Sequence, residues 1–211
     1  MSLIDKLQWR YATKKMDATK LVPESKVEQI LEAIRLTASS SGLQPYEVIV
    51  ITNKDIRRKI RAAANDQSQV TDCSHLLVFA AWDNYTADRI NAAFDMTESI
   101  RNFTSESGTA YRQMLLKAYP ARDAETNFTH AAKQAYIGLG TALIAAAYEQ
   151  VDCTPMEGFN PSAVDDILDL PAKGLRSVIL LPLGYRNADE DWLVKLKKVR
   201  RAKEQFISWI K

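Results

Sequence analysis

Three short apolar runs lie far apart in this chain: Tyr46–Ile51, His75–Ala81 and Ser177–Leu183. Each has the length of a strand, and turn-forming residues bound the first of them. Rich in apolar and β-branched residues, the first and third read as buried strands and the second as an apolar strand. Strands separated by this much sequence need other elements to cross between them and cover the sheet.

Those elements are legible as helices. Leu3–Trp9 reads as a short helix, and Leu21-Val22-Pro23-Glu24 as a helix start with its proline near the first turn. Val27, Ile30, Leu31 and Ile34 follow at helical spacing. The serine-rich stretch Ala38–Gly42 ends that helix. Lys54–Ala64 is amphipathic. A helical region runs from about Thr86 to Tyr119, with a break expected near Ser105–Gly108, and Pro161–Leu168 is a shorter helix. Thr129–Glu149 gives the strongest helical pattern, and Gly138, Gly140, Ala142 and Ala145–Ala147 would let another helix approach closely. Helices alternating with buried strands define an α/β or α+β class, with more helix than a plain dinucleotide-binding domain carries.

Composition narrows the function classes. The net charge of +2 over 211 residues does not suggest a nucleic-acid or membrane binder, and mixed charges at 26% argue against disorder. The most apolar helix, Ala135–Tyr148, is too short to span a bilayer. The first residues lack the basic-then-apolar pattern of an export signal, so a cytoplasmic location is expected. Cys73 and Cys153 form no CxxC pair and read as free thiols; with two histidines besides, no metal site is expected. Neither G-x-G-x-x-G, G-x-S-x-G, H-E-x-x-H nor a Walker motif occurs. One domain, residues 1–211, is expected.

Four segments carry chemistry. They are Arg10-Tyr11-Ala12-Thr13-Lys14-Lys15, Ala38-Ser39-Ser40-Ser41-Gly42-Leu43-Gln44-Pro45-Tyr46, Thr154-Pro155-Met156-Glu157-Gly158-Phe159 and Lys197-Lys198-Val199-Arg200-Arg201. Taken alone, the last is a solvated basic run. Asn65-Asp66-Gln67-Ser68-Gln69-Val70 alone is a polar turn between helix and strand.

In type, order and spacing these segments resemble the nitroreductase family of flavoproteins over nearly the whole chain. The resemblance implies that family's fold: a central, mainly antiparallel sheet flanked by helices, in a homodimer whose C-terminal segments are exchanged. It implies FMN as cofactor and NADH or NADPH as electron donor. FMN carries a dianionic phosphate, which favours guanidinium and ammonium groups. Arg10, Lys198 and Arg200 would hold it, with Tyr11 and Ala12 beside them. Lys14 would lie near the N1–C2=O edge of the ring, which gains negative charge on reduction. Asn65 or Gln67, together with Gln69, would contact the pyrimidine. The turn Pro155-Met156-Glu157-Gly158 would turn the backbone N–H groups of Glu157 and Gly158 toward N5 and O4 as fixed dipoles. Ser39 and Ser40 would reach a flavin held mainly by the other subunit, and Gln44 is also expected to contact the cofactor.

No side chain is expected to act as catalytic acid, base or nucleophile, because the cofactor carries the hydride. His75 reads as structural and His130 as a cap or surface residue. The implied activity is ping-pong transfer from NAD(P)H to a small oxidised acceptor such as a nitroaromatic or quinone. The alternative keeps the fold and changes the reaction to dehydrogenation, dehalogenation or flavin conversion. Ala12 and Gly42 stand where the family often has Ser and Asn, which leaves substrate preference and potential open. The tail residues Phe206, Ile207, Trp209 and Ile210 are apolar for a free end, and a partner subunit would bury them.

Overall fold

Every apolar run forms a strand, and a fourth strand joins them. The computed structural model describes residues 2–211. Strands β1 (Tyr46–Ile51), β2 (His75–Trp82), β3 (Asp152–Cys153) and β4 (Leu175–Gly184) form one antiparallel sheet in the order β1-β2-β4-β3. β1 has the bounds expected of it but is not buried: it is an edge strand, with Glu47 and Val50 exposed, because only β2 pairs with it; β4 extends beyond the apolar run at both ends.

The side chains of β2 and β4 alternate between two cores. On one face Leu77, Phe79, Ile179 and Leu181 pack against Val27, Ile30 and Ile34 of α2 (Glu24–Arg35) and Ala135, Leu139, Ala142 and Ala146 of α7 (Ala124–Tyr148). On the other face Leu76, Val78 and Leu180 meet Ile60 of α3 (Lys54–Ala63) and Val164 of α8 (Pro161–Leu168). A third cluster joins Tyr85 to Ile90 of α5 (Ala87–Arg101) and Leu115 of α6 (Glu106–Ala118).

Helix α7 begins at Ala124, five residues before the expected Thr129, because Asp123 caps it by accepting from the Thr126 backbone N–H at 2.8 Å. Two ammonium groups close its far end. Lys6 in α1 (Leu3–Trp9) donates to the Tyr148 carbonyl at 2.9 Å, and Lys26 in α2 to the Glu149 carbonyl at 2.5 Å. Gly138 has a packing reason, since a Cβ there would sit 2.9 Å from Cζ of Tyr46 and against its hydroxyl. Gly140 faces open space. The break between α5 and α6 falls at Asn102–Ser105, slightly earlier than expected. Asn102 ends α5 in the left-handed region at φ 49°, and Ser105 caps α6 by accepting from Gly108 N–H.

The short strand β3 was not expected. Its two residues pair with Leu183 and Gly184 at the end of β4, and Ala12 bridges Cys153 in parallel. Met16 bridges Arg186, and Met156 bridges Leu180. The N-terminal segment, the residues after α7 and the residues after β4 thus meet at one end of the sheet. The tail holds one helical turn, α9 (Lys203–Phe206), and leaves Phe206, Ile207, Trp209 and Ile210 exposed.

Candidate active site

That end of the sheet carries a cavity of about 540 Å³, lined by Arg10, Tyr11, Ala12, Pro155, Lys198 and Arg200 together with Trp9, Arg186, Lys197 and others. Residues from three distant segments therefore meet as the sequence suggested.

Three of its cations, Arg10, Lys198 and Arg200, lack counter-charges. Lys198 Nζ donates to the carbonyls of Leu7 and Arg10. Burial, then the neighbouring charges of Arg10 and Arg200, holds its pKa below the usual lysine value. Buried Nε of Arg10 has no hydrogen-bond partner. Cys153 lies beside that guanidinium, but burial pushes its thiol up to about 11, so it stays neutral and supplies no anion. Arg200 is exposed, and its Nη1 donates only to the Val199 carbonyl at 2.7 Å. Among the described residues, none of these three cations forms a salt bridge. Crowded like charges with an orphaned buried donor suit a bound anion, and a phosphate dianion fits them.

Three residues that no sequence motif singled out organise the wall. Asp152 is buried and grips Arg186: Nε donates to both carboxylate oxygens at 2.9 and 3.0 Å, and the Arg186 backbone N–H donates to Oδ2 at 2.9 Å. The guanidinium then lies 4.5 Å from the ring of Trp9 and 4.6 Å from that of Tyr11. Asp191 is 2% exposed. Its Oδ2 accepts from Tyr11 Oη at 3.0 Å and from the backbone N–H groups of Lys14 and Lys15 at 2.8 and 3.3 Å, while Oδ1 accepts from Leu193 N–H at 2.9 Å. Burial and then the Asp191 bond raise the Tyr11 pKa, so the phenol stays protonated. Its hydroxyl is a strut for the 10–15 loop.

The turn after β3 is held from both sides. Thr154 Oγ1 donates to the Thr13 carbonyl at 2.6 Å, and Met156 exchanges two backbone bonds with Leu180 at 2.9 and 3.1 Å. Asn65 Nδ2 and Gln67 Nε2 both donate to the Gly158 carbonyl at 3.0 Å. Gln67 Nε2 also donates to the Ala64 carbonyl at 3.1 Å, so both its N–H groups are committed, whereas Asn65 spends one of two on the turn. A Cβ on Gly158 would lie 3.3 and 3.4 Å from those two nitrogens, so glycine permits this clamp. Asn65 and Asp66 reach it with φ of 51° and 53°. Gln69 is buried at the start of α4 (Gln69–Asp72). Glu157 is exposed and accepts from Tyr136 Oη of α7.

Ser39, Ser40 and Gln44 line none of that cavity. The Gln44 N–H donates to Ser39 Oγ at 2.9 Å, Ser40 N–H donates to Gln134 Oε1 at 2.8 Å, and Gln44 Nε2 donates to the Arg35 carbonyl at 2.8 Å. Gln44 lines a cavity of about 390 Å³ with Arg35, Tyr46 and Val48, and the next residues along, Ser41 and Gly42, wall another of about 410 Å³ with Phe94, Phe103 and Tyr111, where the Ser41 and Tyr111 hydroxyls lie 2.7 Å apart.

Neither histidine lines the Arg10–Arg200 cavity. His75 bonds Ser74 Oγ at 2.9 Å and Glu24 at 3.2 Å. His130 caps nothing, lying inside α7, and is half-buried. It bonds Tyr85 Oη at 2.8 Å and meets the rings of Tyr85 and Tyr119 edge-on.

The same chain path occurs in solved structures. A Bacillus subtilis protein described as a nitroreductase superposes with a TM-score of 0.86 at 17% identity, covering 98% of each chain. An Exiguobacterium sibiricum protein described as a nitroreductase and crystallised with FMN superposes with a TM-score of 0.82 at 15% identity, covering 100% of this chain and 98% of that one. Such identities define the fold: a small antiparallel sheet between helices. In sequence, the chain is 31% identical to the major NAD(P)H-flavin oxidoreductase of Aliivibrio fischeri, over 98% of this chain and 97% of that protein. The pattern of the nitroreductase family matches residues 7–185, and the chain belongs to that family.

Proposed function

We propose that this protein is an NAD(P)H-dependent FMN oxidoreductase that reduces a small oxidised acceptor such as a nitroaromatic or quinone. The observation that carries the reading is the trio Arg10, Lys198 and Arg200, which face one cavity without carboxylates, with the buried Arg10 Nε unpartnered. Bound FMN would supply the hydride chemistry, from NADH or NADPH to the acceptor. The chain's own residues bind, orient and tune. Arg10, Lys198 and Arg200 hold the phosphate, with Tyr11 and Ala12 lining its approach. Lys14 supplies positive charge near the pyrimidine edge. The Pro155–Gly158 turn presents the backbone N–H groups of Glu157 and Gly158. Asn65 and Gln67 contribute by fixing that turn, and Gln69 by supporting the loop beneath it.

We further propose a homodimer, with the whole chain acting as one unit in the cytoplasm. The tail's Phe206, Trp209 and Ile210 would cover the partner. Ser39, Ser40 and Gln44 would complete the partner's site, and donor and acceptor would take turns in one cleft. No described helix is long and apolar enough to cross a membrane.

The test is the visible spectrum of the purified protein before and after anaerobic NADH or NADPH. A flavin spectrum that bleaches and returns on adding a quinone or nitroaromatic supports the reading. Failure of both donors to bleach a bound flavin would leave the fold and reject the reaction. A colourless protein that takes up no added FMN would reject the phosphate site too. Sedimentation as a flavin-loaded monomer at micromolar concentration would reject the dimer.

A further inference from the structure

Helix α3 sets Lys54, Arg57, Arg58 and Arg61 on one face, three and four residues apart. With Thr19, Leu21, Thr71 and Cys73 they wall a cavity of about 560 Å³, which shares no lining residue with the Arg10–Arg200 cavity. Two of the cations are neutralised: Arg58 pairs with Asp55, and Arg61 with Asp66 at 2.7 Å. Among the described residues Lys54 and Arg57 have no carboxylate.

Arg57 is the informative one. It is 6% exposed, and its partners are neutral. Nη1 donates to the Cys73 carbonyl and lies 3.4 Å from Cys73 Sγ, while the buried Nε has no partner. Cys73 does not supply the missing charge, because burial pushes its thiol up to about 11 despite the guanidinium. Asp72 accepts from the Thr71 hydroxyl at 3.1 Å, and Asp17 pairs with Lys20 at 2.8 Å. Burying a guanidinium against neutral groups alone is costly, and this one lines an open cavity beside a second unpaired cation.

We propose that this cavity is a second anion site, taking a phosphate dianion, free or as the monoester group of a small metabolite. Arg57 is its buried anchor and exposed Lys54 its second cation. Lys54 and Arg57 together match the charge of a phosphate near neutral pH. The wall is concave and includes Leu21 and Cys73 beside the cations, and its size suits a small ligand rather than a polymer. The site is independent of the oxidoreductase reading.

The experiment is isothermal titration calorimetry of the FMN-saturated protein with inorganic phosphate, repeated with glycerol 3-phosphate. Saturable binding is expected, weakened about tenfold or more in both Arg57→Gln and Lys54→Gln, and unchanged in Lys117→Gln, an exposed lysine of α6. Lys54 is exposed, so its variant keeps the test decisive should Arg57→Gln fail to fold. Tighter binding of the ester identifies a metabolite, and equal binding identifies the free ion. No saturation by about 20 mM phosphate, or affinity unchanged in Lys54→Gln, overturns the proposal.

Discussion

Replacing Asp191 tests how the wall of the first cavity is held. Its two carboxylate oxygens accept from Tyr11 Oη and from the backbone of Lys14, Lys15 and Leu193. Asp191→Ala removes all of these acceptors and leaves backbone donors without partners in a buried pocket. Hydrogen bonds to a charged group are worth about 1.5–3 kcal/mol each, and stranded buried donors cost about 1–3 kcal/mol. These costs overlap and partial relaxation recovers some, so a loss of about 3–5 kcal/mol is expected. Asp191→Asn should lose less, about 2 kcal/mol, since one oxygen survives and the new NH₂ meets a backbone N–H. Urea unfolding followed by circular dichroism gives the stability, and flavin fluorescence quenching gives FMN affinity. Both should fall together, because the 10–15 loop and the 193–200 segment are tied through this carboxylate. An alanine variant within about 1 kcal/mol of the parent, with FMN affinity intact, would refute the reasoning. The pH dependence follows from the same contacts. Burial alone would raise the Asp191 pKa, but the bonds from Lys14, Leu193, Lys15 and Tyr11 outweigh it and hold it below the usual value. A depressed carboxylate stabilises the fold above its unfolded pKa of about 3.9, and that contribution is lost as pH falls through the lower folded value.

Other outcomes are expected. Arg200→Ala should weaken FMN binding by about tenfold with thermal stability unchanged, since its side chain contacts only its neighbour's carbonyl. Arg186→Met should cost about 3–5 kcal/mol by stranding the buried Asp152 carboxylate, and adding Asp152→Asn should recover part of that loss in a double-mutant cycle. Gly138→Ala should lose about 1–3 kcal/mol by driving a methyl into Tyr46, whereas Gly140→Ala in the same helix should be tolerated; equal melting temperatures would contradict the packing. Burial, aided by the charges of Arg122 and Lys133, lowers the His130 pKa. Protons therefore bind the unfolded chain more readily, and stability should decline as pH drops below about 6.5; His130→Phe should flatten that decline.

The sequence is most readable where structure is local. Tyr46–Ile51 is a strand because its β-branched run, interrupted only by Glu47 and bounded by turn residues, points one way. Asp152-Cys153 gives no such sign: two residues, one a carboxylate, become a strand only because β4 runs beside them. The early start of α7 did have a local cause, the Asp123 cap, hidden behind a polar first turn whose spacing carries no apolar stripe. Within the site, the cations and the glycine turn stand out as residue types in an ordered series. Asp152, Arg186 and Asp191 do not, since each acts on segments more than thirty residues away and follows no motif. They matter through distances that only the closed sheet creates.

The strand order has a consequence for how this chain comes to be folded. β4 lies between β2 and β3 and supplies the pairing for both, yet it is the last strand in sequence. Until residue 184 has been synthesised, β2 presents an open, apolar edge, and the segments bearing Arg10 and Pro155 have no common frame. Nascent chains must therefore wait, with a sticky edge exposed, for a late long-range closure. A ribosome stalled in the α8 region would hold a product with most of its helices encoded and no flavin pocket at all.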